Sequence, residues 1–351
     1  MRILILKRDK LGDMLLTTPM LRWLRQQLPD ARIDVLANTY NAWVLDGNPD
    51  VDRVLTYQRA TEGGRIHWKA VVAQLQQVFS LRREHYDWVI AANGEYSHRA
   101  LKRARWVGGR NLVSYHEGAA PSWLSHPLTV PAGLHETQRL THLLSALTVP
   151  LPESPLPLRF SLPEESRRFA RAWLDERGLA PGGYITLGLG ARRAKRQPTA
   201  DQVKRWTRYF HEQWGLQTVF MWTPGKSDNP LYPGDDDIAQ PVLDAGMPWL
   251  HPFRGPLKPA LGLIWHGRTS LFPDSGLMHF AAASPGGVLG FFAEVEASPP
   301  PSQWAPVGPR ARWLEAPKTL SDLDDGTVFA ALTSLVEPHT DEIPPLCTSG
   351  A

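Results

Sequence analysis

Apolar runs alternate with helical stretches along the first 150 residues, and this alternation constrains the fold more than any other feature. The predicted strands are 3–6, 33–37, 54–57 and 87–91, and the predicted helices are 14–27, 41–45, 68–81 and 137–147. In the helix predicted at 68–81 the apolar residues recur at helical spacing, namely at Val71, Val72, Leu75 and Phe79. Strands that alternate with helices favour parallel pairing and right-handed crossovers, so the sequence predicts a doubly wound α/β sheet.

A proline-rich segment then separates this region from a second one of the same kind. Four prolines stand between 149 and 157, which excludes a helix or a central strand there. The length of 351 residues suits two domains. We expect a Rossmann-like acceptor domain at 1–150, a linker at 151–162, a Rossmann-like donor domain at 163–336 and a tail at 337–351. The elements predicted in the second domain are helix 164–177, strand 184–189, helix 200–212, strand 218–222, helix 259–266, strand 270–272, helix 276–283 and strand 287–292.

Composition and charge narrow the class of protein. With 42% hydrophobic and 21% charged residues, the chain is typical of a soluble globular protein. Its one cysteine, Cys347, excludes an intramolecular disulfide and fits a reducing compartment. We see no signal peptide and no run of about 18 apolar residues, so we expect any membrane contact to be peripheral.

The positive charge is concentrated in the first half of the chain. Residues 1–150 carry 19 Lys and Arg against 13 Asp and Glu, whereas the remainder carries 19 against 22. A basic first half favours an anionic partner: a membrane surface, a phosphorylated glycolipid or a nucleic acid. A solvated basic surface without any partner explains the charge equally well.

Two short loops far apart in the sequence look like parts of an active site. Segment 8–13 follows the first strand, and segment 273–279 follows a strand of the second domain, each leading into a helix. Ligands bind at the carboxyl ends of strands in such sheets, and helix N-termini bind anions. Asp13 is the candidate general base, with Asp9 a weaker rival, although Asp13 would also favour the first turn of its helix. Asp274 can likewise cap its helix whether or not a ligand binds there.

Three further stretches are candidates for binding. The glycine-rich basic loop 188–196 can approach a phosphate closely, and the turn 223–230 can reach a ribose. The stretch 98–110 is the most basic of the chain and favours an anionic acceptor or a membrane surface. Each also has a plain interpretation, as an exposed loop, a simple turn and a solvated helix respectively.

Several function classes are disfavoured. No Gly-x-Gly-x-x-Gly follows the first strand, which argues against a dehydrogenase, and no Walker A loop or Gly-x-Ser-x-Gly elbow is present. The twelve histidines show no metal-binding spacing. We therefore expect neither a metal nor a cofactor.

The ordered set of motifs resembles the ADP-heptose:lipopolysaccharide heptosyltransferases, glycosyltransferase family 9. The resemblance is carried by 1–19, 28–34, the loop ending at Lys195 and Arg196, the 274–282 motif and the 304–309 segment. It implies a GT-B fold, in which two Rossmann-like domains face each other across a cleft. It also implies inverting transfer of heptose from ADP-heptose to the lipopolysaccharide inner core without a metal.

The resemblance also implies roles for individual residues. Asp13 would be the base that acts on the acceptor hydroxyl, and Lys195 would stabilise the departing diphosphate. Asp274 would hold heptose hydroxyls, while Ser275 and Gly276 would bind phosphate through their backbone amides. The donor-binding set predicted in this way is Gly190, Arg196, Asp274, Ser275, Gly276, His279, Thr223 and Asp228. The acceptor-binding set is Lys10, Gly12, His98, Arg99 and Lys102.

The sequence departs from the family pattern at two places that concern the donor. Gln197 stands before Pro198 where an aromatic residue is usual, and 226–228 lacks the expected glutamate. Another nucleotide sugar, a protein or other glycan acceptor, or a catalytically idle binding protein therefore remain alternatives. We expect a cytoplasmic protein that contacts the inner membrane, if at all, at its inner face, and no nucleic-acid partner.

Overall fold

The computed structural model divides the chain into two compact units, Met1–Ser161 and Leu162–Ala351. It describes residues 1–57, 61–62, 65–66, 68–190, 194–228, 233–296 and 298–337. The predicted tail from 338 onward, with Cys347, and the centre of the basic loop, 191–193, lie outside the described residues.

The first unit contains a six-stranded sheet in which every pairing is parallel, plus a short antiparallel hairpin. The strand order is β3-β2-β1-β6-β7-β8. The sheet strands are β1 (Arg2–Lys7), β2 (Arg32–Asn38), β3 (Arg53–Tyr57), β6 (Trp88–Ala91), β7 (Asn111–Tyr115) and β8 (His126–Leu128), and the hairpin is β4 (Thr61–Glu62) with β5 (Arg65–Ile66).

The second unit repeats this topology with the order β11-β10-β9-β12-β13-β14, again all parallel. Each sheet therefore has the 3-2-1-4-5-6 order of the doubly wound nucleotide-binding fold, which confirms the predicted fold class. Its strands are β9 (Tyr184–Gly188), β10 (Gln217–Met221), β11 (Leu250–Phe253), β12 (Thr269–Pro273), β13 (Val288–Phe292) and β14 (Ala311–Glu315).

Helices connect the strands in both units. In the first unit they are α1 (Leu11–Leu15), α2 (Thr18–Gln27), α3 (Trp68–Arg83), α4 (His98–Val107) and α5 (Glu136–His142), with 3₁₀ turns at Ala42–Leu45 and Leu143–Leu147. In the second they are α6 (Glu164–Asp175), α7 (Ala200–Trp214), α8 (Asp236–Leu243), α9 (Leu257–His266), α10 (Gly276–Ala282), α11 (Pro301–Trp304) and α12 (Asp325–Val336), with 3₁₀ turns at Ala194–Arg196 and Leu320–Asp322.

Hydrophobic burial explains why the central strands form. The side chains from Ile3 to Leu6 are fully buried, and so are Tyr184 and Ile185 in β9. A parallel sheet covered on both faces needs such continuous apolar runs. In the second unit Trp206 of α7 packs on Phe291 of β13, with 5.4 Å between ring centroids.

The predicted helix 14–27 is wrong as a single element. The structure breaks it into α1 and α2 at Leu16 and Thr17. Pro19 lies at the start of α2, where its missing N–H costs nothing but where it cannot continue a preceding helix. The hydroxyl of Thr17 donates to the Asp13 carbonyl at 2.8 Å and so satisfies one backbone acceptor at the break. Similarly, the predicted helix 137–147 is α-helical only to His142 and then tightens into a 3₁₀ turn.

The stretch 150–161, which covers most of the linker predicted at 151–162, has no regular secondary structure and packs on the first unit. The indole nitrogen of Trp23 donates to the Pro150 carbonyl at 2.7 Å. Arg159 forms an ion pair with the nearly buried Asp50 at 2.8 Å. These contacts place the segment in the unit that ends at Ser161.

Replacing Gly262 by alanine should destabilise the second unit. Gly262 lies in α9 where it meets α6, and a Cβ there would stand 2.2 Å from the Ser166 carbonyl oxygen. Helix propensity alone predicts that Gly262→Ala stabilises by about 1 kcal/mol. Because backbone must move, we instead expect a loss of about 1–3 kcal/mol. Urea unfolding measures this, with Gly190→Ala as control, since a Cβ at Gly190 meets nothing within 4 Å. An unchanged or higher free energy of unfolding for Gly262→Ala would contradict the packing described here.

Candidate functional site

In the first unit the strand order reverses between β1 and β6, and charged side chains collect at that point. The loops that leave the carboxyl ends of β1 and β6 diverge to opposite faces of such a sheet, which leaves a crevice where ligands bind. Lys7 ends β1, Asp9 follows it, and Asn93 lies just beyond β6. The first predicted site loop is therefore at the ligand-binding edge of its sheet.

Lys7 is a buried cation that the sequence analysis did not single out. Its side chain is only 1% exposed, and its ammonium donates to the Ala92 carbonyl at 2.9 Å. It also forms an ion pair with the Asp9 carboxylate at 3.1 Å. Asn93 Nδ2 donates to that same carboxylate at 2.8 Å. A buried charge is tolerated only when it is paired and hydrogen-bonded, and these contacts meet that requirement.

Asp13, the predicted base, is partly buried in the first turn of α1. Its carboxylate accepts the Lys10 N–H at 3.0 Å, so it caps the helix as the plain interpretation expected. Burial raises the pKa of Asp13 above its usual value and Asp9 raises it further, whereas Lys7 opposes both. A carboxylate with a raised pKa is a stronger base, so the capping role and the basic role are compatible.

The other predicted acceptor residues lie on two elements. Lys10 is exposed directly before α1, and Gly12 is buried within it. His98, Arg99 and Lys102 are all exposed on α4. Among the residues that the structure describes, none of these three is joined to Asp13 by a hydrogen bond or an ion pair. Their predicted acceptor role therefore remains a prediction.

The second unit has its own reversal point, between β9 and β12, and the second predicted site loop lies there. Arg196, in the loop after β9, donates to both the backbone carbonyl and the carboxylate of Asp274, which follows β12. Both side chains are largely buried, at 15% and 10% exposure. This ion pair joins the two loops on either side of the reversal point.

Ser275 stands at the start of α10 in extended conformation, and Gly276 is the first helical residue. The Ser275 hydroxyl oxygen and the Arg196 Nε are both buried and have no hydrogen-bond partner among the described residues. Buried polar groups in proteins are usually satisfied, so these two groups keep hydrogen-bonding capacity that a polar ligand could use. His279 is buried further along α10, and Gly190 leads into the part of the basic loop that is not described.

Lys195, the second predicted catalytic residue, is exposed and is held by an acidic partner. Its ammonium donates to Glu294 at 2.9 Å, and this carboxylate raises the pKa of Lys195. Glu294 follows β13 at the same edge of the sheet. Glu294 was not predicted as a site residue from the sequence, although its position directly after an apolar strand was a usable signal.

Gln197 occupies a buried position that explains one departure from the family pattern. Its side-chain amide donates to Asp235, which also accepts the Thr223 N–H at 2.8 Å. Burial raises the pKa of Asp235 above its usual value, and the bonds from Thr223 and Gln197 oppose that shift. A phenylalanine at 197 could not donate to this carboxylate.

Three consecutive carboxylates at the start of α8 hold the turn in which Thr223 and Asp228 were predicted to bind the donor. After Asp235, the next carboxylate, Asp236, accepts the Gly225 N–H at 2.9 Å and the indole N–H of Trp222 at 2.8 Å. Asp237 accepts from Ser227. Thr223 and Asp228 have exposed side chains, and 229–230, the end of the predicted turn, lie outside the described residues.

Two further features concern metal ligands and membrane-spanning helices. Among the described residues, no group of three or more His, Cys, Asp or Glu side chains is arranged to hold a metal ion. None of the described helices is long and apolar enough to cross a membrane.

Comparison with known proteins identifies the class. The sequence pattern of the family described as "Glycosyltransferase family 9 (heptosyltransferase)" matches residues 73–324. The chain therefore belongs to glycosyltransferase family 9, and it is a glycosyltransferase with the GT-B type of fold.

Individual relatives agree with this assignment. The chain is 26% identical over 296 residues to lipopolysaccharide heptosyltransferase 3 of Escherichia coli strain K12, which covers 81% of this chain and 80% of the relative. Its fold is similar to that of a glycosyl transferase family 9 protein from Veillonella parvula, with a TM-score of 0.79, 19% identity, and coverage of 95% and 97% of the two chains. It is also similar to E. coli heptosyltransferase WaaC, solved with ADP, with a TM-score of 0.72, 16% identity, and coverage of 95% and 100%.

The raised pKa of Asp13 predicts that the Asp13→Asn variant is more stable than the wild type at neutral pH. When folding raises the pKa of a carboxyl group, the protein loses stability as pH rises from the group's unfolded pKa through its folded pKa. The reason is that the group ionises more readily in the unfolded state. Asparagine avoids that loss and can still accept the Lys10 N–H. The gain should therefore be present at neutral pH and vanish below the ordinary Asp pKa of 3.8. Thermal unfolding across this pH range measures it.

The matched control is Asp9→Asn, which should have the opposite effect. It removes the carboxylate opposite the buried Lys7 ammonium, 3.1 Å away, so we expect a loss of roughly 1–3 kcal/mol at neutral pH. If Asp13→Asn and Asp9→Asn lowered stability alike, the electrostatic description of this site would be wrong.

Proposed function

We propose that this enzyme transfers heptose from ADP-heptose to a hydroxyl of the lipopolysaccharide inner core, with inversion at the anomeric carbon. The observation that carries the proposal is the position of Asp13. It is a carboxylate of raised pKa beside the buried Lys7 and Asp9, at the ligand-binding edge of the first sheet. The relatives support the choice of substrates, since one is a lipopolysaccharide heptosyltransferase and another was solved with ADP.

On the acceptor side, Asp13 acts as general base. It takes the proton from the acceptor hydroxyl as that oxygen forms a bond to the anomeric carbon of heptose. In the same displacement the bond from the anomeric carbon to the diphosphate breaks, and ADP leaves with the electron pair. A single displacement from the opposite side inverts the configuration. The raised pKa of Asp13 brings its basicity closer to what proton transfer at neutral pH requires.

On the donor side, fixed donors stabilise the negative charge that develops on ADP. Lys195 and Arg196 supply the cations, and the backbone amides at the start of α10, from Ser275 and Gly276, supply hydrogen-bond donors. Arg196 Nε and the Ser275 hydroxyl are two buried groups at this place with hydrogen-bonding capacity to spare. Asp274, oriented by Arg196, holds heptose hydroxyls, and Gly190, Thr223, Asp228 and His279 complete the proposed donor site.

The proposed setting of the reaction is the cytoplasmic face of the inner membrane, with the basic first unit facing the anionic acceptor. Lys10, Gly12, His98, Arg99 and Lys102 are the proposed acceptor-binding residues. The excess of cations over carboxylates in residues 1–150 supports this division of labour.

Asp13→Asn should abolish transfer without weakening donor binding. We expect turnover with ADP-heptose and a lipopolysaccharide core acceptor to fall by about 10²–10⁴-fold, because a positioned general base contributes that much. Saturating ADP-heptose should stabilise the variant and the wild type equally in thermal unfolding, by about 2.7 kcal/mol at 100 times the dissociation constant. Retained turnover would remove Asp13 from the base role.

The same unfolding measurement, made on the wild type, tests the donor. UDP-glucose and ADP-glucose should stabilise the protein less than ADP-heptose at equal concentration. A larger response to another nucleotide sugar would overturn the heptose assignment and keep the transferase class. A response to ADP-heptose with no turnover on any acceptor would favour an idle binding protein.

Glu294→Gln should tighten ADP binding, and Lys195→Gln should weaken it. In the ligand-free protein Lys195 is held by Glu294 at 2.9 Å, so the diphosphate must compete with that carboxylate. Because this ion pair is exposed to solvent, we expect each change in affinity to be at most about fivefold. Titration calorimetry with ADP measures the affinities.

The matched control is Asp201→Asn, which removes the carboxylate from another exposed lysine pair of the same unit, Lys204 with Asp201. It should leave ADP affinity unchanged. Equal ADP affinities for the wild type, Glu294→Gln and Lys195→Gln would place Lys195 outside the donor site.

A further inference from the structure

Four large apolar side chains lie exposed along one side of α3. Trp68, Val72, Leu75 and Phe79 are 72%, 52%, 49% and 62% exposed. Their spacing of four, three and four residues places them on one helix face, one above another. We call this set the α3 apolar stripe.

The stripe is unusual because it is contiguous. Single exposed apolar residues are ordinary, but a continuous exposed row marks an interaction surface. The opposite side of α3 faces the protein, where Ala70 and Leu81 are buried. Helical periodicity alone would have assigned the apolar face to the core, and the structure shows that two apolar faces exist on this helix.

The surroundings of the stripe are strongly basic. α3 packs beside α4, and Arg82 Nε of α3 donates to the Trp106 carbonyl of α4 at 2.8 Å. The two helices together contain no Asp or Glu. Their cations are Lys69, Arg82, Arg83, Arg99, Lys102, Arg103 and Arg105.

Most of these cations point outward. Lys69, Arg82, Arg83, Arg99, Lys102 and Arg105 are exposed. Arg103 is the exception, because its guanidinium stacks on the Tyr57 ring at 4.0 Å and donates to Gln74 at 3.1 Å. Trp106 adds a further exposed ring, 45% accessible, with the Lys102 ammonium 5.1 Å from its centroid.

A cavity at the C-terminal ends of the two helices continues the basic surface. Arg82, His85 and Arg110 line it together with the backbone of Gly108 and Gly109. Arg82 and Arg110 give it a positive charge that suits an anionic headgroup, and Arg110 is also paired with Asp87 at 3.5 Å. Apolar side chains, cations and this cavity therefore occur together on α3, α4 and the residues that follow them.

We propose that the α3 apolar stripe and the cations beside it dock the protein on an anionic lipid bilayer. Interfacial helices combine these two features: apolar side chains enter the acyl boundary while Lys and Arg bind lipid phosphates. The choice of a bilayer as occupant follows from the complete absence of carboxylates on the two helices. The docking proposal also rests on the proposed function in one respect, since a lipid-linked acceptor is presented at a membrane.

A second copy of this chain fits the surface less well. Two such faces brought together would oppose up to six exposed cations on each side, and neither α3 nor α4 supplies a carboxylate between them. Like charges across an interface are unfavourable. An acidic protein partner would satisfy the cations but would leave binding independent of lipid. The experiment separates these occupants.

The test is co-sedimentation of the full chain with vesicles that contain phosphatidylglycerol, compared with vesicles of phosphatidylcholine alone. The wild type should bind the anionic vesicles, and the Trp68→Ser/Phe79→Ser variant should bind them at least about tenfold more weakly. Lys69→Gln/Arg83→Gln should lower binding by about tenfold or more and make it less sensitive to salt. The matched control is Leu151→Ser/Trp313→Ser, which removes two exposed apolar side chains elsewhere and should bind like the wild type.

Turnover on a soluble, delipidated core saccharide separates this proposal from the proposed function. The stripe variants should keep full turnover there, because the stripe lies outside the proposed catalytic residues, and this outcome with lost vesicle binding supports docking. Failure of the wild type to bind anionic vesicles would overturn docking, whatever the turnover. Docking would also be overturned if light scattering showed that the wild type is a dimer and that the Trp68→Ser/Phe79→Ser variant is a monomer.

Discussion

The reversal of strand order inside each parallel sheet is the constraint on which the rest of the structure depends. Because crossovers are right-handed, the connections from the two strands at the reversal leave on opposite faces and keep the strand ends uncovered. In the first unit Lys7, Asp9 and Asn93 lie at these strand ends, and in the second Arg196 and Asp274 do. The same topological event thus creates one polar site in each sheet.

Burying charged side chains at these strand ends costs desolvation free energy, which contacts with neighbouring groups offset. Lys7 is almost completely buried, and its ammonium is compensated by the Ala92 carbonyl and Asp9. Asp13 is only partly compensated, so its ionised form is disfavoured by burial. Sites of this kind trade stability for reactivity, since the desolvation that makes a carboxylate basic also makes it unfavourable to fold.

The sequence predicted those parts of the molecule whose signal is local. The apolar run from Ile3 to Leu6 predicted a buried central strand, and the turns after two such strands led to Asp13 and Asp274 as candidate site residues. Four strands of the two six-stranded sheets were not predicted: β7 and the edge strands β8, β11 and β14. These three edge strands are short or half-exposed and carry polar residues or proline, as loops do. Pro241 and a run of aspartates hid α8 in the same way.

The remaining site residues required tertiary information. Lys7 meets Ala92 across 85 positions, and Lys195 meets Glu294 across 99. No short motif joins such pairs, because the sheet brings them together only after two or more crossovers. The exposed stripe of α3 was invisible for a related reason: periodicity shows that a helix has an apolar face, and only packing shows which face is covered.

The aspartates at the start of α8 have a consequence for ligand affinity. Asp235, Asp236 and Asp237 take up the backbone N–H groups of Thr223, Gly225 and Ser227 in the ligand-free protein. The conformational entropy of this turn is therefore lost during folding, and the nucleotide that we propose to bind there does not have to order the backbone again. Preorganisation of this kind leaves more of the contact energy available as binding affinity. Its cost is a lower stability of the fold, because the three neighbouring carboxylates repel one another.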